Sequence, residues 1–169
     1  GIAKTAADLE VPVTGGNVSL YNESRGGPIW PTPTIGMVGA VNKPEFLIQP
    51  GFKEPGDVVY ALGMLPKSFA GSMVAWLKSG KALPYPLEEE AAQTFGDRAV
   101  DLKSLLEDLI DTKLLRSAQD VSEGGLAVAL AESCLFAPQP VGFEADEPLT
   151  APELLFGEPG ALLVVSIAA

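Results

Sequence analysis

The longest periodic stretch, Leu87 to Leu115, does most to limit how this chain can fold. Its apolar residues fall at 91, 92, 95, 99, 102, 105, 106, 109 and 110. That spacing follows the helical period, and the acids Glu88, Glu89 and Glu90 stand at the start, where the helix dipole favours them. Gly96 is a candidate interruption. A helix this long must lay its apolar stripe on something, and the neighbouring segments supply sheet. "VVYALGML" reads as a strand, "RSAQDVSEGGLAVALAESCLF" as strand end, turn and helix, and "LLFGEPGALLVVSI" as a turn and a closing strand. Strands alternating with helices of this length predict an α+β (mixed α/β) domain, a mixed β-sheet with helices packed on one face.

The flanking regions fill in the rest. Ile2 to Glu10 is alanine-rich and apolar at 2, 3, 6, 7 and 9, which predicts a helix; Val11-Pro12-Val13 predicts a short strand. Residues 22–33 are broken by glycine and proline and read as a loop. "PTIGMVGAV" reads as a strand buried on both faces. A short helix is expected over Ser68 to Gly80, with Ser68 as cap and Gly80 as stop. "APQPVGFEADEPLT" is a proline-rich acidic loop.

Composition restricts the function classes. The chain has 169 residues, 47% of them hydrophobic, enough for one domain, or one and a piece, with a core that needs no disulfide or structural metal. Its single cysteine, Cys134, sits in an apolar run and favours a reducing, cytoplasmic compartment. Eleven basic against 22 acidic residues argue against a broad nucleic-acid surface. A small phosphate ligand stays open, because backbone N–H groups and metal ions hold phosphates without lysine. No apolar run approaches the ~20 residues of a membrane span, and no signal peptide is visible. With no histidine, any acid–base chemistry must use other groups. Gly1 opens on what reads as the last turns of a helix, and the sequence stops at a strand pattern, so a fragment of a longer chain is expected.

Three places can carry chemistry. In Gly15-Gly16-Asn17-Val18-Ser19 the glycines admit close backbone approach, Asn17 offers an amide oxygen to a hard cation, and Ser19 falls on the same face if the segment is extended. A tight turn with a polar end explains the same residues. In Gln119-Asp120-Val121-Ser122-Glu123-Gly124-Gly125, Asp120 can hold a metal that bridges phosphates. Equally, Asp120 or Ser122 can simply cap the following helix. Glu158, in "LFGE", is a carboxylate on a glycine turn and says little alone. Glu88 to Glu90 read as a solvated helix start.

Together, "PVTGGNVSLYNE", "PTPTIGMVG", "QDVSEGGLAVALAES" and "LFGE…LLVVSI" resemble the phosphoribosylformylglycinamidine synthase family, more narrowly the second half of its small bacterial form. The likeness runs from Gly1 to Ile167; "DVSEGGL" and "LFGE" are shared across the aminoimidazole ribonucleotide synthetase superfamily. It implies an ATP-dependent ligase of purine biosynthesis. Formylglycinamide ribonucleotide is activated through an iminophosphate, and ammonia from a glutaminase subunit displaces phosphate to give the amidine. A small accessory subunit completes the implied complex, and ATP and Mg2+ are the implied cofactors.

Residues 1–25 then correspond to the end of the second A domain and 26–169 to the second B domain, truncated at its end. By the same resemblance Gly16 lies at the ATP, Asn17 ligates magnesium and Ser19 touches the formylglycinamide ribonucleotide. Asp120 and Glu158 belong to an auxiliary nucleotide site. Gln119 stands where the family has histidine and Leu162 where it has arginine, which removes a planar fork for phosphate there. The family's catalytic histidines lie in the absent first half, so no catalytic residue is expected here, and the fragment alone is expected to be inactive. The alternatives are another ATP-using member of the superfamily, or a non-catalytic docking module whose glycine turns are only turns.

Overall fold

The computed structural model describes residues 2–17, 22–29, 33–80 and 89–169, with no side-chain description for 89–95. The chain forms two compact units, Gly1–Asn42 and Lys43–Ala169.

In the first unit α1 (Ile2–Asp8) leads into β1 (Val13–Asn17). β2 (Glu23–Ser24) and β3 (Gly27–Pro28) make a small antiparallel hairpin, and β4 (Thr34–Met37) returns antiparallel to β1. The strand therefore runs through the glycine pair rather than ending on it: Gly15, Gly16 and Asn17 pair with Gly36, Ile35 and Thr34. The register slips between Val13 and Gly15, an irregularity of the kind glycine accommodates. β4 is shorter than "PTIGMVGAV" suggested and is not buried on both faces; Ile35 and Met37 are exposed. A two-stranded ladder has too little covering structure to bury it within this unit.

The second unit begins with a single 3-10 turn at Pro44–Phe46 and holds β5 (Val58–Gly63), α2 (Met73–Ser79), α3 (Glu89–Asp111), β6 (Leu115–Asp120), α4 (Gly125–Leu135), α5 (Pro152–Phe156) and β7 (Leu162–Ile167). β7 is central, in the order β5-β7-β6, and both of its ladders are antiparallel. Val121 N–H donates to Leu162 O at 3.0 Å and Met64 N–H to Ala161 O at 2.8 Å, carrying the pairing past both strand ends.

The core lies where α4 meets this sheet. Leu126, Ala129 and Leu130 of α4 pack with Phe52, Val121, Leu162 and Val164. Val164 and Val165 are each 1% exposed although successive strand residues face opposite ways, so β7 is covered on both sides. Ser117 and Ser166, both buried, satisfy each other at 2.7 Å.

Two helix ends differ from the expected ones. Ser72, not Ser68, caps α2: its Oγ accepts from Ala75 N at 3.2 Å, whereas Ser68 Oγ accepts only from Ala70 N in a local turn. Gly80 stops the helix in the left-handed conformation, as expected. α3 passes through Gly96 unbroken but ends at Asp111, four residues short of Leu115. Thr112 Oγ1 donates back to Asp108 O at 2.7 Å, Lys113 turns the chain at φ 56°, and Leu115 is the first residue of β6.

Candidate functional site

In the first unit, Gly16 and Asn17 close β1 and both are exposed. A Cβ on Gly16 would collide with the Thr34 carbonyl oxygen of the partner strand, so the close pairing of β1 with β4 by itself requires glycine there. A Cβ on Gly15 would meet nothing within 4 Å. It is Gly15, then, whose missing side chain leaves open space along this edge. Asn17 pairs with Thr34 at the end of the ladder, and its exposed amide is free of any described core contact. Thr14 Oγ1 ties the strand to Gly36 O at 3.2 Å. Ser19 lies outside the described residues.

In the second unit, Asp120, Val121, Ser122, Glu123 and Glu158 line one concavity of ≈ 390 Å³, with Gly71 and Leu102 on its walls. The structure thus brings Asp120 and Glu158 to one concavity, and one oxygen of each carboxylate is engaged within the chain. Met73 N–H and Gly124 N–H donate to Glu158 Oε1 at 2.8 and 2.9 Å. One carboxylate oxygen therefore serves the N-termini of α2 and α4, where unpaired N–H groups and the helix dipole favour an anion. Asp120 Oδ2 accepts from Ser122 Oγ, and Gln119 Nε2 donates to Glu132 Oε2 at 2.9 Å.

Gly124 and Gly125 have φ of 86° and 72°, and a Cβ on Gly125 would stand 2.7 Å from the carbonyl oxygens of Leu155 and Gly157. This contact explains why two separated signatures act as one unit. "DVSEGG" supplies the helix start, and "LFGE" supplies both the backbone that needs a glycine opposite it and the carboxylate that caps it. The close approach that Gly125 permits is taken by the backbone of Leu155–Gly157. Ser72 was missed as part of this cluster, although a serine immediately before "MVAWLKSG" was a visible capping signal.

Leu162 is 2% exposed and part of the main core. Its side chain packs in the core and also lines the concavity shared with Asp120, Glu123 and Glu158. Among the described residues no group of three or more His, Cys, Asp or Glu side chains could hold a metal ion. Asn17 brings one amide oxygen, a donor of the hard type that Mg2+ takes, to the exposed end of β1.

A family model described as AIR synthase related protein, C-terminal domain, matches residues 54–165. The span takes in the whole sheet apart from the end of β7, the α4 cap and Glu158. The chain belongs to this family. Proteins named phosphoribosylformylglycinamidine synthase subunit PurL are similar over nearly all of it. The protein of Parasynechococcus marenigrum is 40% identical over 100% of this chain and 23% of its own length. That of Gloeobacter violaceus is 41% identical over 99% of this chain and 22% of its own. The chain thus spans less than a quarter of these relatives.

Two solved structures of Thermotoga maritima PurL share the fold. The one complexed with FGAR has a TM-score of 0.61 at 19% identity, covering 99% of this chain and 28% of that one. The one complexed with AMPPCP has a TM-score of 0.57 at 18% identity, with 99% and 26% covered. The mixed α+β architecture is that of AIR synthase-type C-terminal domains.

Proposed function

We propose that this chain is part of the synthetase subunit of phosphoribosylformylglycinamidine synthase, the purine-biosynthetic ligase that converts formylglycinamide ribonucleotide, ATP and glutamine-derived ammonia to the amidine, ADP and phosphate. The observation that carries this reading is identity of about 40%, spread over the whole chain, to relatives bearing that name. In this account the protein works in the cytoplasm beside a glutaminase subunit and a small accessory subunit. No described helix is long and apolar enough to cross a membrane.

The working-site contribution is the end of β1. The backbone at Gly15-Gly16 lies against the nucleotide, with Gly16 held there by its fit to Thr34. Asn17 gives its amide oxygen to Mg2+, and Ser19 contacts the ribonucleotide. Mg2+, when bound, neutralises charge on the ATP phosphates. What this chain's residues do is hold and orient; a fixed strand end with one oxygen ligand restricts where the phosphates sit. Residues 1–25 are assigned to the second A domain and 26–169 to the second B domain.

For Asp120 and Glu158, hydrogen bonding within the chain favours a structural role over an auxiliary nucleotide site. A helix-capping carboxylate already occupies the electropositive helix ends that an anion would otherwise take. A full-length subunit supplied with ammonium, formylglycinamide ribonucleotide and Mg-ATP is expected to form ADP only when all are present. The 169-residue chain alone, which has no histidine, is expected to form none. Amidine formation by the chain alone would overturn the assignment of the missing groups to the rest of the subunit.

A further inference from the structure

β1 and β4 place a second polar side chain beside Asn17. The ladder runs Gly15 against Gly36 and Gly16 against Ile35, and ends with Asn17 directly opposite Thr34. Directly opposed residues of an antiparallel pair turn their side chains to the same face, with Cβ atoms about 4.5–5.5 Å apart. The Thr34 hydroxyl therefore stands on the Asn17 side of the ladder, within reach of a group that the amide oxygen holds. Two positions further along that face are Gly15 and Gly36, so the strands offer bare backbone beside the pair. Thr34 is also firmly placed. Its carbonyl oxygen is the atom that a Cβ on Gly16 would strike, at 2.4 Å, so β1 lies tight against the Thr34 backbone. Pro33, with its ring-fixed φ, holds the entry to the strand. Thr14 spends its hydroxyl on Gly36 O at 3.2 Å, whereas the Thr34 hydroxyl has no hydrogen-bond partner among the described residues.

We propose that Thr34 is a further nucleotide-binding residue of the site to which Asn17 is assigned, its hydroxyl donating to a phosphate oxygen of the Mg-nucleotide. This rests on the reading of Asn17 given above. The two side chains are complementary in what they offer. The Asn17 amide oxygen suits a cation, and phosphate oxygens, which only accept, need a donor. Neither strand carries a charged residue, so a neutral hydroxyl is the side-chain donor this ladder can set beside the amide. A donor fixed by strand register restricts where the phosphate sits, and a hydrogen bond to a charged group is among the stronger ones. The rival explanation is that threonine serves β4 through its β-branched shape alone, which suits a strand.

Two substitutions in the full-length subunit separate these roles. Thr34→Val keeps the branched shape and loses the hydroxyl; Thr34→Ser does the reverse. Binding of AMPPCP with Mg2+ is measured by calorimetry, and urea midpoints report folding. The expected result is binding weaker by about tenfold or more in Thr34→Val at an unchanged urea midpoint, and within about threefold of the parent in Thr34→Ser. KM for Mg-ATP should rise in the same order. Asn17→Ala and the Asn17→Ala, Thr34→Val double variant complete a cycle. Two groups that hold one ligand should lose less together than the product of their separate losses. Full binding in Thr34→Val, a loss in Thr34→Ser as large as in Thr34→Val, or strictly multiplicative losses would each overturn the proposal. If Asn17→Ala still weakens binding in those cases, the assignment of Asn17 stands without Thr34. Unchanged binding in Asn17→Ala would instead overturn the reading of the site itself, and the role of Thr34 with it.

Discussion

Glu158 shows how much one side chain can hold. Its Oε1 receives the N–H groups of Met73 and Gly124, so removing it orphans donors at two helix ends in one step. A charge-assisted hydrogen bond to such a donor contributes about 1.5–3 kcal/mol, and unpaired donors keep their desolvation cost. Glu158→Ala is therefore expected to destabilise the protein by about 2–4 kcal/mol in urea denaturation. Glu158→Gln keeps an acceptor oxygen and should lose only about 1 kcal/mol, the charge–dipole part. Similar losses in both variants would show that the charge, rather than the acceptor, is what matters. Leu162 makes the complementary case. It is 2% exposed within the core, so Leu162→Ala should leave a cavity and cost about 2–5 kcal/mol in urea denaturation.

At the scale of elements, the periodic segments were legible and their ends were not. α3, α4, β5 and β7 stand where apolar spacing placed them, because each must bury a continuous face and that need is written into the residue order. The ends depend on groups far along the chain. Ser72 starts α2 rather than Ser68 because Glu158, 85 residues on from Met73, holds the first helical N–H beside it. Ser72→Ala should therefore cost about 1 kcal/mol and Ser68→Ala less than about 0.5 kcal/mol, measured as paired shifts in urea midpoint. The glycine pair at 15–16 was ambiguous for a similar reason. Paired glycines signal a turn locally, and only the Thr34 carbonyl, on a strand 18 residues away, makes Gly16 a strand residue. Likewise, β4 read as buried because its residues are apolar. Burial depends on what covers a strand, and composition does not specify that.

For the whole molecule, the family and the α+β class were readable because four short signatures occur in order across the chain. Their shared physical basis was not. "DVSEGG" and "LFGE" looked like two halves of a ligand site, and within this unit they are two halves of a helix-end clamp. The contribution proposed for the chain to catalysis is the exposed end of β1. The central claim is that Asn17 serves the working site while Asp120 and its neighbours serve the fold. Steady-state kinetics of the full-length subunit, varying Mg-ATP, test it most directly with Asn17→Ala and Asp120→Ala, both confirmed as folded. Loss of a metal ligand that positions the transferred phosphoryl group should lower kcat/KM for Mg-ATP by about 100-fold or more, or roughly 2.7 kcal/mol of transition-state stabilisation. Asp120→Ala should change it by less than about threefold. Equal losses in the two variants, or a larger loss for Asp120→Ala, would contradict the account.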